Sequence, residues 1–246
     1  MTGVAIFTKE LRAYFTSFLA YVVLSVFLVL SGYYFYTNLQ LFILMGGMDL
    51  PRGLWQYQFH DMRQLLLFAV IFLTMRLFAE EKKMGTIELI WTYPVRDSAV
   101  MLGKYGACLV MIGLMLALTA LYPLFLAWLH PVAPGPVLAG YLGLFLLAAA
   151  FAACGLWASS LTESQLVAGL ASFGLLSFFW MLTWNQAAAS DWVIKLLSPV
   201  SLFDRFHTFA QGAIDVRDVV FLTSFSILFL SLTLFTLESR RWRGLR

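Results

Sequence analysis

The chain contains several long apolar stretches that have no charged residue at their centre. A helix needs about 20 mostly apolar residues to cross a bilayer. We predict six such spans, at about 18–36, 62–78, 100–129, 137–160, 166–184 and 219–237. Because six spans use roughly 120 positions, no stretch is left for a soluble catalytic domain. We expect residues 1–246 to form a single all-α transmembrane domain.

The amount and the distribution of charge are typical of a membrane protein. Charged residues make up 12% of the chain and hydrophobic residues 61%, whereas soluble domains average about 25% and 45–50%. With the N-terminus inside, eleven of the 16 basic residues fall on the cytoplasmic side, and five fall outside: Arg52, Arg63, Lys195, Arg205 and Arg217. Cytoplasmic loops carry the excess of Lys and Arg. We therefore predict cytoplasmic N- and C-termini and no nucleic-acid partner.

The N-terminal segment before the first span has the spacing of an amphipathic helix. Apolar side chains recur every three or four residues at Val4, Phe7, Leu11, Tyr14, Phe15 and Phe18. The charged residues Lys9 and Arg12 fall on other faces. Two interpretations remain open, a separate helix lying in the membrane interface and the cytoplasmic end of the first span. Because charge comes so early and no small-residue cleavage site follows, we do not expect a cleaved signal peptide.

The inner loop between the second and third spans has the most unusual sequence of any loop. Charged residues precede a glycine, and an apolar stretch then runs from Ile87 to Trp91. Thr86 is suited to cap a short helix there, and Pro94 ends it. A short apolar helix outside the bilayer requires either a groove on a partner protein or the lipid surface.

A second helix is predicted in the late outer loop, 185–218. Ser201 and Asp204 have the spacing of a capping box, and an apolar face follows at Leu202, Phe203, Phe206, Phe209 and Ala213. We expect this helix to lie on the outer leaflet or to dip into it.

Few residues suggest catalysis or ion coupling. The sequence lacks the P-loop, H-E-x-x-H, C-x-x-C and G-x-S-x-G motifs, and the centres of the spans carry no ionisable side chain. Arg76 and Lys104 lie near span ends, where we expect them to reach the headgroups. Cys108 and Cys154 are expected to be small buried hydrophobes.

The best enzyme candidate is an outer cluster of loop residues, Asp49, His60 and Asp61 with Asp204 and His207.

Several short motifs, taken in their order along the chain, resemble those of ABC-2-type exporter permeases. Within that family they resemble the gliding-motility (GldF-like) branch. They are Lys9-Glu10-Leu11-Arg12-Ala13-Tyr14-Phe15, Ala79-Glu80-Glu81-Lys82-Lys83-Met84-Gly85-Thr86-Ile87-Glu88-Leu89, Pro94-Val95, Leu102-Gly103-Lys104, Ser198-Pro199 and Gly212-Ala213-Ile214-Asp215-Val216-Arg217-Asp218. The similarity spans nearly the whole chain.

The resemblance implies a noncatalytic permease subunit in the bacterial cytoplasmic (inner) membrane. Two permeases, identical or paralogous, would pair in lipid with a dimer of a separate ATP-binding cassette ATPase. That ATPase would bind ATP and Mg²⁺, and this chain would bind no cofactor. The resemblance also implies an N-terminal interfacial helix and an ATPase-contacting coupling helix that comprises Glu80, Glu81, Gly85, Thr86, Ile87, Glu88, Leu89 and Trp91.

The sequence therefore leaves three alternative functions. The first is the export permease, for which the uncharged spans suit an amphipathic or lipid-like cargo. The second is a membrane enzyme that acts on a lipid-linked substrate at the outer face, and the third is a scaffold of an envelope or motility machine. If two protomers pair, small residues let helices approach closely, and the available glycines are Gly32, Gly106, Gly113, Gly155 and Gly169.

The predicted topology is tested by labelling a cysteine placed at Glu88. Since this residue is expected to face the cytoplasm, the Glu88→Cys chain should react with a membrane-impermeant maleimide only after the cells are opened. The unsubstituted chain, with Cys108 and Cys154 in apolar runs, controls for background. Labelling in intact cells would show that the layout is wrong.

Overall fold

The computed structural model describes residues 3–44, 50–86, 96–129, 133–184 and 201–243, and within them all regular structure is helical. We number the helices in chain order: α1 (Gly3–Thr16), α2 (Phe18–Leu44), α3 (Leu50–Thr74), α4 (Ala79–Lys83), α5 (Asp97–Thr119), α6 (Leu121–Leu129), α7 (Pro134–Leu161), α8 (Gln165–Trp184), α9 (Leu202–Ala210) and α10 (Val216–Arg243). The all-α class predicted from the sequence is confirmed.

Five segments of the described chain are long and apolar enough to cross a membrane: Phe18–Leu44, Gly53–Lys83, Asp97–Leu129, Pro134–Leu161 and Val216–Ser239. They correspond to the first, second, third, fourth and sixth predicted spans. The remaining predicted span, 166–184, coincides with α8, whose apolar part is the shorter helix Gln165–Trp180. A count of six spans therefore stays a prediction.

The first two membrane helices are longer than predicted. Helix α2 continues to Leu44, and α3 begins at Leu50, well before residue 62. His60 and Asp61 therefore lie on a helix and not in a loop. The polar residues lowered the mean hydropathy of this region, yet Trp55, Phe59 and Met62 recur at helical spacing and are fully buried. Asp49 lies outside the described residues.

The third span is divided into α5 and α6 at Ala120. Pro123 explains the break, because a proline ring clashes with the carbonyl four residues earlier and provides no backbone N–H. That carbonyl belongs to Thr119, the last residue of α5. The Thr119 hydroxyl donates to the carbonyl oxygen of Leu116 at 2.8 Å, which satisfies a polar group in the apolar interior.

Helix α7 is the centre of the bundle, and it contacts α3, α5, α8, α9 and α10. Its middle is rich in small buried side chains, including Ala148, Ala152 and Ala153. Cys108 and Cys154 are buried free thiols, as expected. Small residues let neighbouring helices approach closely in lipid, so α7 can pack against several helices at once.

The glycines considered for a dimer face instead have neighbours in their own chain. A side chain at Gly32 would meet Tyr122, one at Gly106 would meet Phe7, one at Gly113 would meet Phe145, one at Gly169 would meet Met75, and one at Gly155 would meet Thr74. The closest of these approaches is at Gly155, where an added Cβ would lie 2.1 Å from the Thr74 hydroxyl oxygen. These glycines contribute to packing within the protomer.

Replacing Gly155 with alanine should destabilise the bundle. Thr74 is fully buried and its hydroxyl donates to the carbonyl oxygen of Val70 at 2.8 Å, so the threonine has little room to move. Overpacking of this kind costs about 1–3 kcal/mol. We expect a lower melting temperature for Gly155→Ala in detergent, measured by intrinsic fluorescence.

The matched control is Gly174→Ala on α8, where an added Cβ would meet no atom within 4 Å. This variant should melt at or slightly above the wild-type temperature, because alanine is the better helix former. Equal melting temperatures for Gly155→Ala and wild type would contradict the close packing of α3 against α7.

Candidate functional site

Four charged side chains meet where α1, α4 and α5 come together, and we call Lys9, Glu10, Glu81 and Lys104 the charged cluster. The ammonium nitrogen of Lys104 lies 2.9 Å from Glu10 Oε1 and 2.9 Å from Glu81 Oε2. Lys9 Nζ lies 3.2 Å from Glu81 Oε1 and 3.8 Å from Glu10 Oε1. The cluster therefore joins three helices that are far apart in the sequence.

The charges of the cluster balance, and its burial makes that balance important. The side chain of Lys104 is only 1% exposed and those of both glutamates are 11% exposed, while Lys9 is 60% exposed at the rim. Removing an ion from water costs several kcal/mol, and this cost is offset only when opposite charges and hydrogen bonds surround it. The expectation that Lys104 reaches the headgroups is wrong, because two buried carboxylates hold its ammonium group inside the protein.

The local sequence explains how Glu10 reaches Lys104. Ile6, Glu10 and Tyr14 are spaced four residues apart and form the buried face of α1. On α5 the residue before Lys104 is Gly103, where an added Cβ would lie 3.1 Å from Ile6 Cγ2 and 3.2 Å from the Phe7 backbone nitrogen. The missing side chain allows α1 and α5 to approach closely, which brings the carboxylate and the ammonium group together.

The residues on either side of Glu81 in the chain contact the end of α7. The Ser159 hydroxyl accepts hydrogen bonds from the backbone N–H groups of Phe78 and Ala79 at 3.1 Å each and donates to the carbonyl oxygen of Met75 at 3.0 Å. Lys82 donates to the carbonyl oxygen of Ser160. The turn between α3 and α4 is thus fixed to α7, and the direction in which the chain leaves α4 is set.

Helix α4 ends at Lys83, and Gly85 follows its C-cap residue Met84. Gly85 has a φ angle of +68°, a left-handed conformation that favours glycine at a helix end. The Thr86 hydroxyl donates to the carbonyl oxygen of Glu81 at 3.2 Å. Of the predicted coupling residues, the structure describes Glu80, Glu81, Gly85 and Thr86. Ile87, Glu88, Leu89 and Trp91 lie outside the described residues, so the coupling helix itself stays a prediction.

Helix α1 is separated from α2 at Ser17, so it is not a simple continuation of the first span. The buried Tyr14 hydroxyl donates to the carbonyl oxygen of Leu73 at 3.0 Å. Burial raises the pKa of Tyr14 well above its usual value, so the phenol stays a protonated donor. The charged residue Glu10 shares this buried face, so α1 packs against protein through a mixed polar and apolar surface and not through an apolar stripe alone.

The candidate enzyme residues lie at the other end of α3, where two of them, His60 and His207, contact each other. His60 Nε2 is 3.4 Å from His207 Nδ1 on α9. Asp61 instead accepts a hydrogen bond from the Asn38 amide at 2.8 Å. Within the part of the chain that the structure describes, no group of three or more His, Cys, Asp or Glu side chains is arranged to hold a metal ion.

Helix α9 begins as the capping-box spacing suggested, but its apolar face packs differently. The Ser201 side chain accepts a hydrogen bond from the Asp204 backbone N–H at 3.2 Å. Leu202, Phe203, Phe206 and Phe209 are buried, and α9 contacts α7. These side chains therefore contribute to the protein core and not to a surface resting on the outer leaflet.

An all-helical protein with several apolar spans and a charged cluster at one end of the bundle belongs to the class of polytopic membrane proteins. A family model described as "ABC-2 family transporter protein" matches residues 64–237. Because this match covers most of the chain, the protein belongs to the ABC-2 transporter family. A comparison with curated proteins found no match.

Of the four residues of the charged cluster, only Glu81 was among the predicted coupling residues, and the cluster itself was not predicted. The signals were present: Glu10 occupies the buried face of the amphipathic helix, and Lys104 follows Gly103 at the start of an apolar run. A charged residue in such a position requires a partner of opposite charge. Glu10 and Lys104 are 94 residues apart in the chain, so only the folded structure shows that they pair.

Substituting Lys104 with methionine should destabilise the protein strongly. The change leaves Glu10 and Glu81 facing each other without their shared buried cation, and loss of one partner of a buried pair costs about 3–5 kcal/mol. The control is Lys83→Met, which removes an exposed lysine from α4. Thermal unfolding in detergent should show a large loss for the first variant and almost none for the second.

The double variant Glu10→Gln/Lys104→Met separates charge from packing. Because it removes one of the two like charges, it should recover part of the stability that Lys104→Met loses. If the double variant is instead less stable by the sum of both single effects, the cluster is not electrostatically coupled.

Proposed function

We propose that this chain is the noncatalytic permease subunit of an ATP-driven ABC exporter. In this proposal it pairs with a second permease, identical or paralogous, and with two separate ATP-binding cassette subunits that bind ATP and Mg²⁺. The complex moves an amphipathic or lipid-like cargo across the bacterial cytoplasmic membrane. The observation that carries the proposal is the charged cluster, which anchors the chain immediately before the apolar segment 87–91.

The contacts of Glu81 connect the segment 86–91 to two other helices. A movement delivered to residues 86–91 reaches Glu81 directly, because the Thr86 hydroxyl is bound to the carbonyl oxygen of that residue. Glu81 is linked to α5 by its ion pair with Lys104 and to α1 by its ion pair with Lys9. Packed interiors deform little and transmit displacement, so force applied by an ATPase to this segment would move several helices together.

The membrane arrangement proposed here has six spans with both termini in the cytoplasm. Helix α8 is the additional span, and its 20 residues are enough to cross roughly 30 Å of hydrocarbon. With this arrangement the charged cluster and the segment 87–91 lie on the cytoplasmic side, and the eleven-to-five bias in basic residues supports this orientation.

A membrane enzyme is less well supported by the geometry. That hypothesis needs Asp49, His60 and Asp61 to converge, but the Asp61 carboxylate is bound to Asn38 and the His60 ring contacts His207. General acid–base catalysis requires the acid and the base to lie within hydrogen-bond reach of one reacting group. The export permease therefore accounts better for the residues that are held in fixed positions.

The role of the segment is tested by reversing the charge of Glu88. If Thr86–Trp91 docks on an ATPase, Glu88→Lys should meet a partner group of like charge, which costs several kcal/mol, whereas an exposed charge on a free loop changes stability by less than about 1 kcal/mol. We expect normal amounts of the variant in the membrane but much weaker ATPase association and loss of export.

Glu163→Lys is the matched control, because it makes the same charge reversal at an exposed residue in the turn between α7 and α8. On the proposed topology this turn faces the same side. The control should keep wild-type association.

Ile87→Asp should fail like Glu88→Lys, since it places a charge in the apolar contact. Wild-type association in both loop variants would show that the segment is not the ATPase contact.

A further inference from the structure

A polar pocket of about 350 Å³ lies between α1 and the turn that joins α3 to α4. Its walls include the charged cluster together with Tyr14, Ser17, Arg76 and Glu80. Three of the lining side chains are cations and three are carboxylates, so the pocket is neutral as a whole. The question is how these six charges pair.

Four of the charges are satisfied inside the cluster, and two are not. Lys9 and Lys104 pair with Glu10 and Glu81. Among the residues that the structure describes, Arg76 and Glu80 make no ion pair, although both line the pocket and are half-buried. One cation and one anion are therefore left facing the same space.

Arg76 is held in position by two contacts, but most of its N–H donors make no hydrogen bond to the described residues. One guanidinium nitrogen, Nη1, donates to the Ser17 hydroxyl, and the guanidinium carbon lies 5.2 Å from the centre of the Tyr14 ring. A guanidinium group carries five N–H donors in a planar fork that matches the oxygens of a phosphate. The remaining donors of Arg76 are suited to such a group.

The position of the pocket along the membrane helices points to lipid. One candidate span begins at Phe18, beside Ser17, and another ends at Lys83, three residues after Glu80. The pocket thus lies where two spans leave the hydrocarbon, at the depth of the headgroups. Phe18 is 84% exposed and provides an apolar surface next to the pocket for an acyl chain.

From this geometry we propose that the pocket binds the headgroup of a phosphatidylethanolamine lipid. The phosphate is bound by Arg76, and the primary ammonium group donates to the Glu80 carboxylate. This zwitterion matches the unpaired cation and the unpaired anion of the site. A phosphatidylglycerol headgroup would leave Glu80 unpaired, and the quaternary nitrogen of phosphatidylcholine has no N–H to donate.

The proposal is tested by native mass spectrometry of the full-length chain, released from nanodiscs that contain equal amounts of phosphatidylethanolamine, phosphatidylglycerol and phosphatidylcholine. The wild-type chain should retain phosphatidylethanolamine most strongly. Arg76→Gln should lower its retention about tenfold, the scale expected for one hydrogen-bonded charge. Glu80→Gln should abolish the preference over phosphatidylcholine while phosphate binding persists.

Two matched controls remove the same charges outside the pocket. Arg12→Gln changes an exposed arginine on α1, and Glu163→Gln changes an exposed glutamate between α7 and α8. Both should retain lipid like the wild type. Melting curves of all four variants would show whether a loss of lipid follows from unfolding, and reduced retention in a variant with wild-type melting supports the site.

Several outcomes would overturn the proposal. Equal retention of the three lipids by the wild-type chain would show that the pocket does not select the headgroup, and unchanged retention in well-folded Arg76→Gln would remove the phosphate contact. Soluble O-phosphoethanolamine serves as a separate probe. If it bound as tightly as the lipid, the pocket would be a site for a small phosphate ester and not for a membrane lipid.

Discussion

The buried ammonium group of Lys104 pairs with the carboxylates of Glu10 and Glu81, and these ion pairs join three helices. Both distances are 2.9 Å. An unpaired charge at this depth would be very costly, so all three helices that supply these side chains must be in place at once. Specific pairing of this kind sets the register of α1 against α5 and fixes α4 at the end of the second span. Apolar contacts alone would allow these helices to shift along one another, whereas the ion pairs require one relative position.

Helix α7 provides the second constraint, through small side chains. Its glycines and alanines allow α3, α9 and α10 to approach closely, as at Gly143, where an added Cβ would lie 2.4 Å from Phe209 Cβ. Close approach is the main source of helix association in lipid, where burial of apolar surface gives little driving force. The end of the same helix supplies Ser159, which holds the turn before α4. Packing in the middle of the bundle and the position of Glu81 are therefore linked through one helix.

Much of the fold could be predicted from local sequence, because an apolar run long enough to cross a bilayer has few other stable structures. The predicted start of α3 was wrong because the polar residues His60 and Asp61 suggested a loop. The buried residues Trp55 and Phe59 nevertheless have helical spacing. Of the charged cluster, only Glu81 was among the coupling residues that the family resemblance implied. Its partners Lys9 and Lys104 come from α1 and α5, and the local sequence does not show which distant charges pair.

If the charged cluster positions an ATPase-binding segment of a permease, this chain should be isolated from native membrane together with an ATP-binding cassette protein. The molar ratio of the two proteins can be measured in complexes purified through a tag on this chain. Quantitative peptide analysis should find the cassette subunit in near-equal amount. Its reproducible absence, with the tagged chain intact and folded, would contradict the account.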